Sequence, residues 1–483
     1  MSERILKALM QLFAIVAKID VIKESDEIVA AETSKNIVEI LLKQDLNSEL
    51  VVKYLKIFDQ FIKERHGTKR AKDSKKKRTS VNSVKVLRIC TQINEELEQR
   101  QKIIVLIRIL EFIFADDMHT KEELAFAETV ADTFNVKNEE YQEILQFVES
   151  SINKLASHDN HLIINSKSEH HESKGKQLHV DGIDGSISIL RVSSVKTYFI
   201  RYFGEQELFL NGQVFSPNII KVLRQGSSIK NTRIVPIYYS DILSQFLSKT
   251  RENKIEFTAN NIEYEFSSGK KGLYDFTFKE ESGRLVGIMG GSGSGKSTLL
   301  NVLNGNYPPS SGEIKINGIG LYESPKLLEG VIGFVPQDDL LIEELSVFEN
   351  LYYNGKLCFG NYEDDKLVEL VNEVLVSIGL FEAKDLKVGN PLSKTISGGQ
   401  RKRLNIALEL IREPSILFVD EPTSGLSSND SEIIMDLLKV LSLKGKLIFV
   451  VIHQPSSEIY KMFDQLIILD VGGYPIYKGD PVD

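Results

Sequence analysis

Residues Gly290–Thr298 read GGSGSGKST and follow the short apolar run Leu285–Met289. Glycines interleaved with serines let successive backbone N–H groups turn inward around the oxygens of an anion. Lys296 can then reach the β- and γ-phosphates of a nucleoside triphosphate, and the Ser297 hydroxyl can hold Mg²⁺. A helix starting here points its N-terminus at the same negative charge. The nine candidates for this cradle are Gly290, Gly291, Ser292, Gly293, Ser294, Gly295, Lys296, Ser297 and Thr298. A glycine-rich turn before a helix would look similar, so the downstream residues decide.

Gln337 closes the apolar stretch Val331–Pro336, where an amide can sense both Mg²⁺ and an attacking water. Thr395–Arg403 reads TISGGQRKR, in which Ser397, Gly398, Gly399 and Gln400 can form a second backbone cradle at a helix start. Ile416–Glu421 reads ILFVDE, a continuous apolar run expected of a parallel strand buried on both faces. Asp420 at its tip would support Mg²⁺ together with Ser297 and Gln337, and Glu421 would polarise the attacking water. A last apolar run, Leu447–Ile452, ends at His453, spaced to meet the γ-phosphate. Each of these alone has an ordinary structural explanation. Their order along one chain does not. The catalytic candidates are therefore Glu421, His453, Gln337 and Lys296.

Over Ile255–Asp483 these residues resemble the ATP-binding cassette (ABC) ATPases. Gly290–Thr298 matches the family's Walker A loop, Ile416–Asp420 its Walker B strand and Gln337 its Q-loop. Ser397–Gln400 matches the signature, and His453 the switch histidine. Phe266 sits where the family places an aromatic that stacks on adenine, with Tyr264 a weaker candidate. The resemblance implies ATP and Mg²⁺ as cofactors and a head-to-tail homodimer. In that dimer the phosphate loop of one subunit and the signature of the other would enclose each ATP, so Lys296 and Ser397–Gly399 of one chain would act on different nucleotides. One residue departs from the pattern: PTSGLSS places Ser427 where the family usually has Asp, which puts coupling or hydrolysis rate in question but not binding.

Three stretches resemble the White, or G-type, transporter branch: SGGQRKRLNIALEL from Ser397, HQPSSEIY from His453 and LDVGGYPIYKGDP from Leu469. The coiled-coil insertion of the repair branch and the second cassette of the translation branch are not visible. The chain has no apolar run near the length a membrane span needs. The resemblance implies that membrane helices follow Asp483 in a longer polypeptide, or else reside in a separate subunit. Either case implies the cytoplasmic face of the cell membrane, with this portion itself soluble. With 59 Lys and Arg against 68 Asp and Glu, the net charge of -9 speaks against a nucleic-acid partner. Two cysteines, Cys90 and Cys358, make no disulfide framework.

Residues 1–150 are expected to be helical throughout, with apolar residues such as Ile5, Leu9, Leu12, Phe13 and Val16 at helical spacing. The region is similar to the TerB-like helical domain of tellurite-resistance proteins. An offset of 96 residues aligns Asp20, Asp26, Glu27, Glu32 and Thr33 with Asp116, Glu122, Glu123, Glu128 and Thr129. Both clusters read as helix caps, or alternatively as weak metal sites. Between the halves, Lys63–Arg78 holds nine basic and two acidic residues within a linker extending to residue 82, solvated or attracted to anionic headgroups. Residues 151–177, with His158, His161, His170 and His171, read as a polar linker.

Residues 178–250 change to strand periodicity, with Ser186–Val192, Thr197–Tyr202, Glu207–Leu210, Ile219–Leu223 and Arg233–Ile237 as strands, a turn at Asn211–Gly212 and a short helix at Asp241–Leu247. This small β-rich domain is similar to forkhead-associated sandwiches, in which Arg201 with Gly204, and Arg224 with Ser227 and Ser228, could meet a phosphate.

The expected architecture is thus multidomain: an all-α N-terminal domain, a β-rich middle domain and an α/β phosphate-loop ATPase at 251–483. The function it implies is Mg²⁺-ATP hydrolysis powering transport through a membrane domain. The alternatives are a non-transport regulatory ATPase whose dimerisation controls partner binding by the N-terminal modules, and a nucleotide-binding protein without turnover, motivated by Ser427.

Overall fold

A computed structural model describes residues 3–17, 19–22, 27–30, 32–43, 46–66, 97–115, 120–149, 158–166, 176–247, 255–360, 362–390 and 395–481, together with 87, 89–91 and 93–95. The chain forms two compact units. The first gathers 1–176, 185–204 and 217–222, and the second gathers 177–184, 205–216 and 223–483.

The second unit is built on a six-stranded sheet in the order Ile332–Val335, Ile416–Asp420, Leu447–Val451, Leu285–Gly290, Gln465–Asp470, Tyr474–Gly479. The first five run parallel and the last is antiparallel. The continuous apolar character of the Walker B strand follows from burial on both faces. Leu417 and Val419 pack with the helices Val347–Cys358, Asp364–Ser377, Gly398–Leu410 and Ser428–Leu443, while Ile416 and Phe418 pack with the opposite layer. That layer includes the helix Lys296–Leu303 and the antiparallel sheet of Lys271–Glu281, Glu256–Glu265, Ser311–Ile316 and Ile319–Gly320. The Phe418 and Phe449 rings stack on one another where the two sheets meet, and the Phe257 ring stands steeply against both.

Register fixes what the sheet presents. Ile288 and Asp420 both lie opposite Val451, and Val335 lies opposite Val419. The carboxyl ends of four parallel strands therefore coincide, and the residues just beyond them, from Gly290, Gln337, Asp420 and His453, share one edge. Ligands in open α/β sheets bind at this edge.

The same unit holds a small sheet of Ile237–Tyr238, Ser228–Lys230, Phe209–Leu210 and Gln213–Val214. Asn211 (φ 54°) and Gly212 (φ 77°) make its hairpin turn, as an Asn-Gly pair favours. The helix Tyr239–Phe246 follows it and packs on Ser428–Leu443. Ser228–Lys230 is a strand that the sequence periodicity did not reveal, and only the last residue of Arg233–Ile237 joins a strand.

In the first unit the helices Glu3–Val16, Glu32–Lys43, Ser48–His66, Gln99–Phe114, Lys121–Thr133 and Asn138–Glu149 enclose one core around Phe13, Phe58, Leu106, Phe112 and Phe134. The region is not helical throughout: Ile19–Ile22 and Glu27–Ala30 form an antiparallel hairpin, because β-branched residues crowd this short stretch. Of the two acidic clusters, the second is a cap: Thr120 Oγ1 accepts from the Glu123 N–H at 3.2 Å and the Glu123 carboxylate accepts from the Thr120 N–H at 2.7 Å. Asp26, Asp116 and nearly all of the basic linker lie outside the described residues.

The polar stretch 151–177 is not all linker. His161–Asn165 is a strand that inserts Leu162 and Ile164 into the interior and pairs with Ser186–Val192. Ser186–Val192 pairs in turn with Thr197–Phe203. Arg201 is not free for a phosphate: its guanidinium is buried and donates to the Val148 carbonyl at 2.7 Å, closing the end of the helix Asn138–Glu149. Ser227 is likewise committed, accepting from the Arg224 N–H at 3.1 Å and from Asn211 Nδ2 at 3.3 Å. Among the described residues no helix is long and apolar enough to cross a membrane.

Candidate nucleotide site

The loop Gly290–Gly295 leaves the strand Leu285–Gly290, one strand removed from Walker B, and enters the helix Lys296–Leu303. Gly295 has φ 90°, and a Cβ there would come within 3.0 Å of the Gly272 carbonyl and 3.3 Å of Gly473 Cα. Glycine is therefore required twice over, by conformation and by the close approach of one strand and one turn. Beside Gly291 and Gly293 there is open space, room for an anion against the loop's N–H groups. Lys296 is buried, and its ammonium donates to the carbonyls of Gly290 at 3.0 Å and Gly291 at 2.9 Å. The amine is thus folded over the cradle it would serve.

Asp420 ends the Walker B strand. Its Oδ1 is buried and has no hydrogen-bond partner. Burial pushes its carboxyl above the ordinary aspartate range, the neighbouring Glu421 pushes the same way, and Lys296 partly opposes them. An orphaned, buried carboxylate oxygen close to the lysine of a phosphate loop suits a divalent cation. Glu421 has φ 43°, an uncommon conformation for a carboxylate residue, and its N–H is tied to the Val451 carbonyl at 3.0 Å. That backbone turn lets its side chain reach Gln337, whose Nε2 donates to Glu421 Oε2 at 3.1 Å. His453 lies just past its strand, exposed, beside Gln454 at φ 55°.

Ser397 caps the helix Gly398–Leu410, accepting from the Gln400 N–H at 3.2 Å, while Gln400 Oε1 accepts from the Ser397 N–H at 2.7 Å. A Cβ on Gly399 would fall 2.5 Å from Asp430 Oδ1, so only glycine admits the next helix this closely. Ser427 caps that helix: its Oγ accepts from the Asp430 N–H at 3.1 Å and donates to Asp430 Oδ2 at 2.9 Å. Ser427 thus takes a helix-capping role at the position where the family's Asp is missing.

Of the two aromatic candidates, Phe266 is exposed and its ring covers Gly272, whereas Tyr264 is partly buried and stacks on Tyr307 at 5.6 Å. Phe266 is the one with a face to offer.

Sequence reasoning passed over a clamp behind Gln337. Asp339 faces two cations from the signature helix, Arg401 Nε at 3.3 Å and Lys402 Nζ at 3.1 Å. Arg401 also donates to the Gly389 carbonyl at 2.6 Å, Lys402 to the Gln337 carbonyl, and the Leu340 N–H donates to Asn405 Oδ1 at 3.0 Å. The signal was present as the acidic pair after Gln337 and the basic run after Gln400, but nothing local says that they meet. Gln337 and Glu421 are brought together, and Lys296 and Asp420 are near one another. The signature residues instead lie against the Ser427–Asp430 turn.

Residues 273–424 match the family described as ABC transporter. The chain is 42% identical over 206 residues to ABC transporter G family member 28 of Arabidopsis thaliana, covering 42% of this chain and 18% of that protein. It is 38% identical over 224 residues to the ABC-type transporter claG of Penicillium crustosum, covering 44% and 30%. To a probable ATP-dependent permease of Saccharomyces cerevisiae it is 33% identical over 307 residues, covering 61% and 27%. A solved structure, cbiO1 from Clostridium perfringens, part of the ABC transporter complex cbiONQ, has a TM-score of 0.42 and 28% identity, covering 47% of this chain and 88% of that one. The chain thus spans less than a third of the length of the curated relatives named here. Its C-terminal domain is an ATPase domain of the ABC transporter family, of the G, or White, type.

Proposed function

We propose that this domain binds Mg²⁺-ATP, closes with a second copy head to tail, and hydrolyses ATP to drive transport through a membrane-spanning domain at the cytoplasmic face of a membrane. The observation that carries the reading is the meeting of Gln337 with Glu421 at 3.1 Å, next to the unpartnered Asp420 Oδ1 and the buried Lys296.

Lys296 exchanges its two carbonyl partners for phosphate oxygens and neutralises their charge. The loop N–H groups hold the remaining oxygens, and Phe266 covers the base. Ser297, Asp420 and Gln337 would hold Mg²⁺, which would supply neutralisation of phosphate charge. Glu421 takes a proton from water as it attacks in line, and Gln337 sets the carboxylate's orientation. His453 steadies the transferring group, and Ser397–Gly399 of the partner copy complete the cradle. The catalysis is positioning and electrostatics. Exposed Leu340 (64%) and Ile342 (53%), just beyond Gln337, support a membrane-domain partner docking here. The regulatory reading draws support from the packing of Tyr239–Phe246 onto the cassette.

Reconstitution into vesicles with the membrane domain of the same gene or operon tests transport. ATP-dependent movement of any solute, abolished by Glu421→Gln, supports it. Hydrolysis that is indifferent to a membrane domain and regulated by the N-terminal modules supports the regulatory reading instead.

A further inference from the structure

The helix Ser428–Leu443 has two jobs. Its first turn carries Ser427 and Asp430 against the signature glycine Gly399. Its next two turns are gripped by the segment 223–247, which precedes the cassette. Glu432 Oε2 accepts from Tyr238 Oη at 3.2 Å and from Lys230 Nζ. Ile433 packs under Gly226, where a Cβ would lie 2.9 Å from Ile433 Cγ2. Asp436 is only 1% exposed, and its Oδ1 accepts from the Ser240 N–H at 3.0 Å, while Oδ2 has no partner. Tyr238 itself is part of the cassette's core cluster. A buried carboxylate taking a backbone N–H from a preceding segment is a costly device if packing alone were needed.

We propose that the segment 223–247 sets the rate of ATP hydrolysis by anchoring the helix Ser428–Leu443, with Asp436 and Glu432 as positioning residues that hold Ser427, Asp430 and Gly399 in register. This rests on the ATPase reading of the cassette and extends it to how the preceding segment acts on the site. Neither residue touches nucleotide, so the anchor works on turnover and not on binding at Lys296 and Phe266.

The grip is also proton-sensitive. Burial lifts the Asp436 carboxyl to about 7, with the like charge of Asp241 adding to the lift and its hydrogen bonds to Ser240 and Gly226 opposing it. The charged and titratable groups around this joint are Asp241, Tyr238 and Lys230 from the preceding segment and Glu432 and Lys439 from its own helix; Asp464 is paired to Lys439, and Glu458 adds charge near Tyr238. Because the folded pKa is raised, the docked form favours the protonated acid. The anchor is firmest at low pH and loosens as pH rises through neutrality.

The test measures steady-state ATP hydrolysis and binding of a fluorescent ATP analogue by the whole chain, from pH 6 to 8. Asp436→Leu and Glu432→Ala are expected to lower kcat about tenfold with analogue affinity within about twofold. Asp436→Asn, which keeps the acceptor for Ser240 and carries no charge, is expected to retain kcat at pH 6 and to lose the part of the wild-type pH dependence centred near 7. If Asp436→Leu does not fold, Glu432→Ala and Asp436→Asn decide. Glu432→Ala with unchanged kcat, or Asp436→Asn with the wild-type pH profile, overturns the proposal. Loss of analogue binding in Glu432→Ala also overturns it, since the anchor would then be supporting the fold generally. A wild type with analogue binding but no turnover would refute the ATPase reading separately.

Discussion

Gln337 and Glu421 lie 84 residues apart, and the amide of one donates to the carboxylate of the other at 3.1 Å. Two parallel strands with Val335 opposite Val419 bring them together, and the left-handed backbone of Glu421 turns its side chain toward the neighbouring strand. The contact joins the carboxylate proposed to activate water to the loop that leads away to the exposed Leu340 and Ile342. Glu421→Gln keeps a side chain of the same size beside Gln337 but cannot take a proton. Its expected outcome is a kcat loss of about 100-fold or more with Mg²⁺-ATP affinity preserved, read by single-turnover hydrolysis and equilibrium binding.

Much of this was legible because a central strand buried on both faces writes a continuous apolar run, and the residue ending it must project from the sheet's carboxyl edge. Ile416–Asp420 and Leu447–Val451 fall where the sequence put them. The hairpin at Ile19–Ala30 and the strand His161–Asn165 were not legible: four or five residues carry too little periodicity to stand against helical or polar surroundings. The Asp339 clamp and the Asp436 anchor were hidden for another reason. Both are contacts between segments far apart in sequence, and a charged residue reads the same in a sequence whether it is solvated or paired.

Ser427 makes a local prediction. Ser427→Ala removes the acceptor for the Asp430 N–H and costs about 1 kcal/mol, measured by urea unfolding. Ser427→Asp restores an acceptor but places a second carboxylate where the hydroxyl now sits 2.9 Å from Asp430 Oδ2. That variant is expected to be less stable than the serine protein at neutral pH and low salt, with the gap narrowing as salt rises.

Arg401 is buried and holds Asp339 on one side and the Gly389 carbonyl on the other. Arg401→Met leaves that carbonyl without this donor and Asp339 with Lys402 alone. The expected destabilisation is about 3 kcal/mol, and turnover should fall further than ATP affinity, because the link between the Gln337 loop and the signature helix is cut.

Asp420 gives a pH dependence of known sign. Its pKa is raised by burial first and by Glu421 second, so the nucleotide-free domain binds this proton more tightly than the unfolded chain does. Its contribution therefore makes the nucleotide-free domain less stable as pH rises from the ordinary aspartate range through the raised pKa. Saturating Mg²⁺-ATP should reverse the trend by favouring the ionised form. Thermal unfolding across pH, with and without Mg²⁺-ATP, checks this, and Asp420→Asn should flatten both curves.

The central claim is that each hydrolytic site is shared by two copies of the chain. Lys296→Ala disables the phosphate loop, and Ser397→Arg disables the signature; each variant alone should be inactive. Mixed in equal amounts, they form heterodimers in which the loop of one and the signature of the other are both intact. Hydrolysis in the mixture should recover to about a quarter of the wild-type rate, given random pairing and one working site in two. A mixture no more active than its separate components would contradict the account.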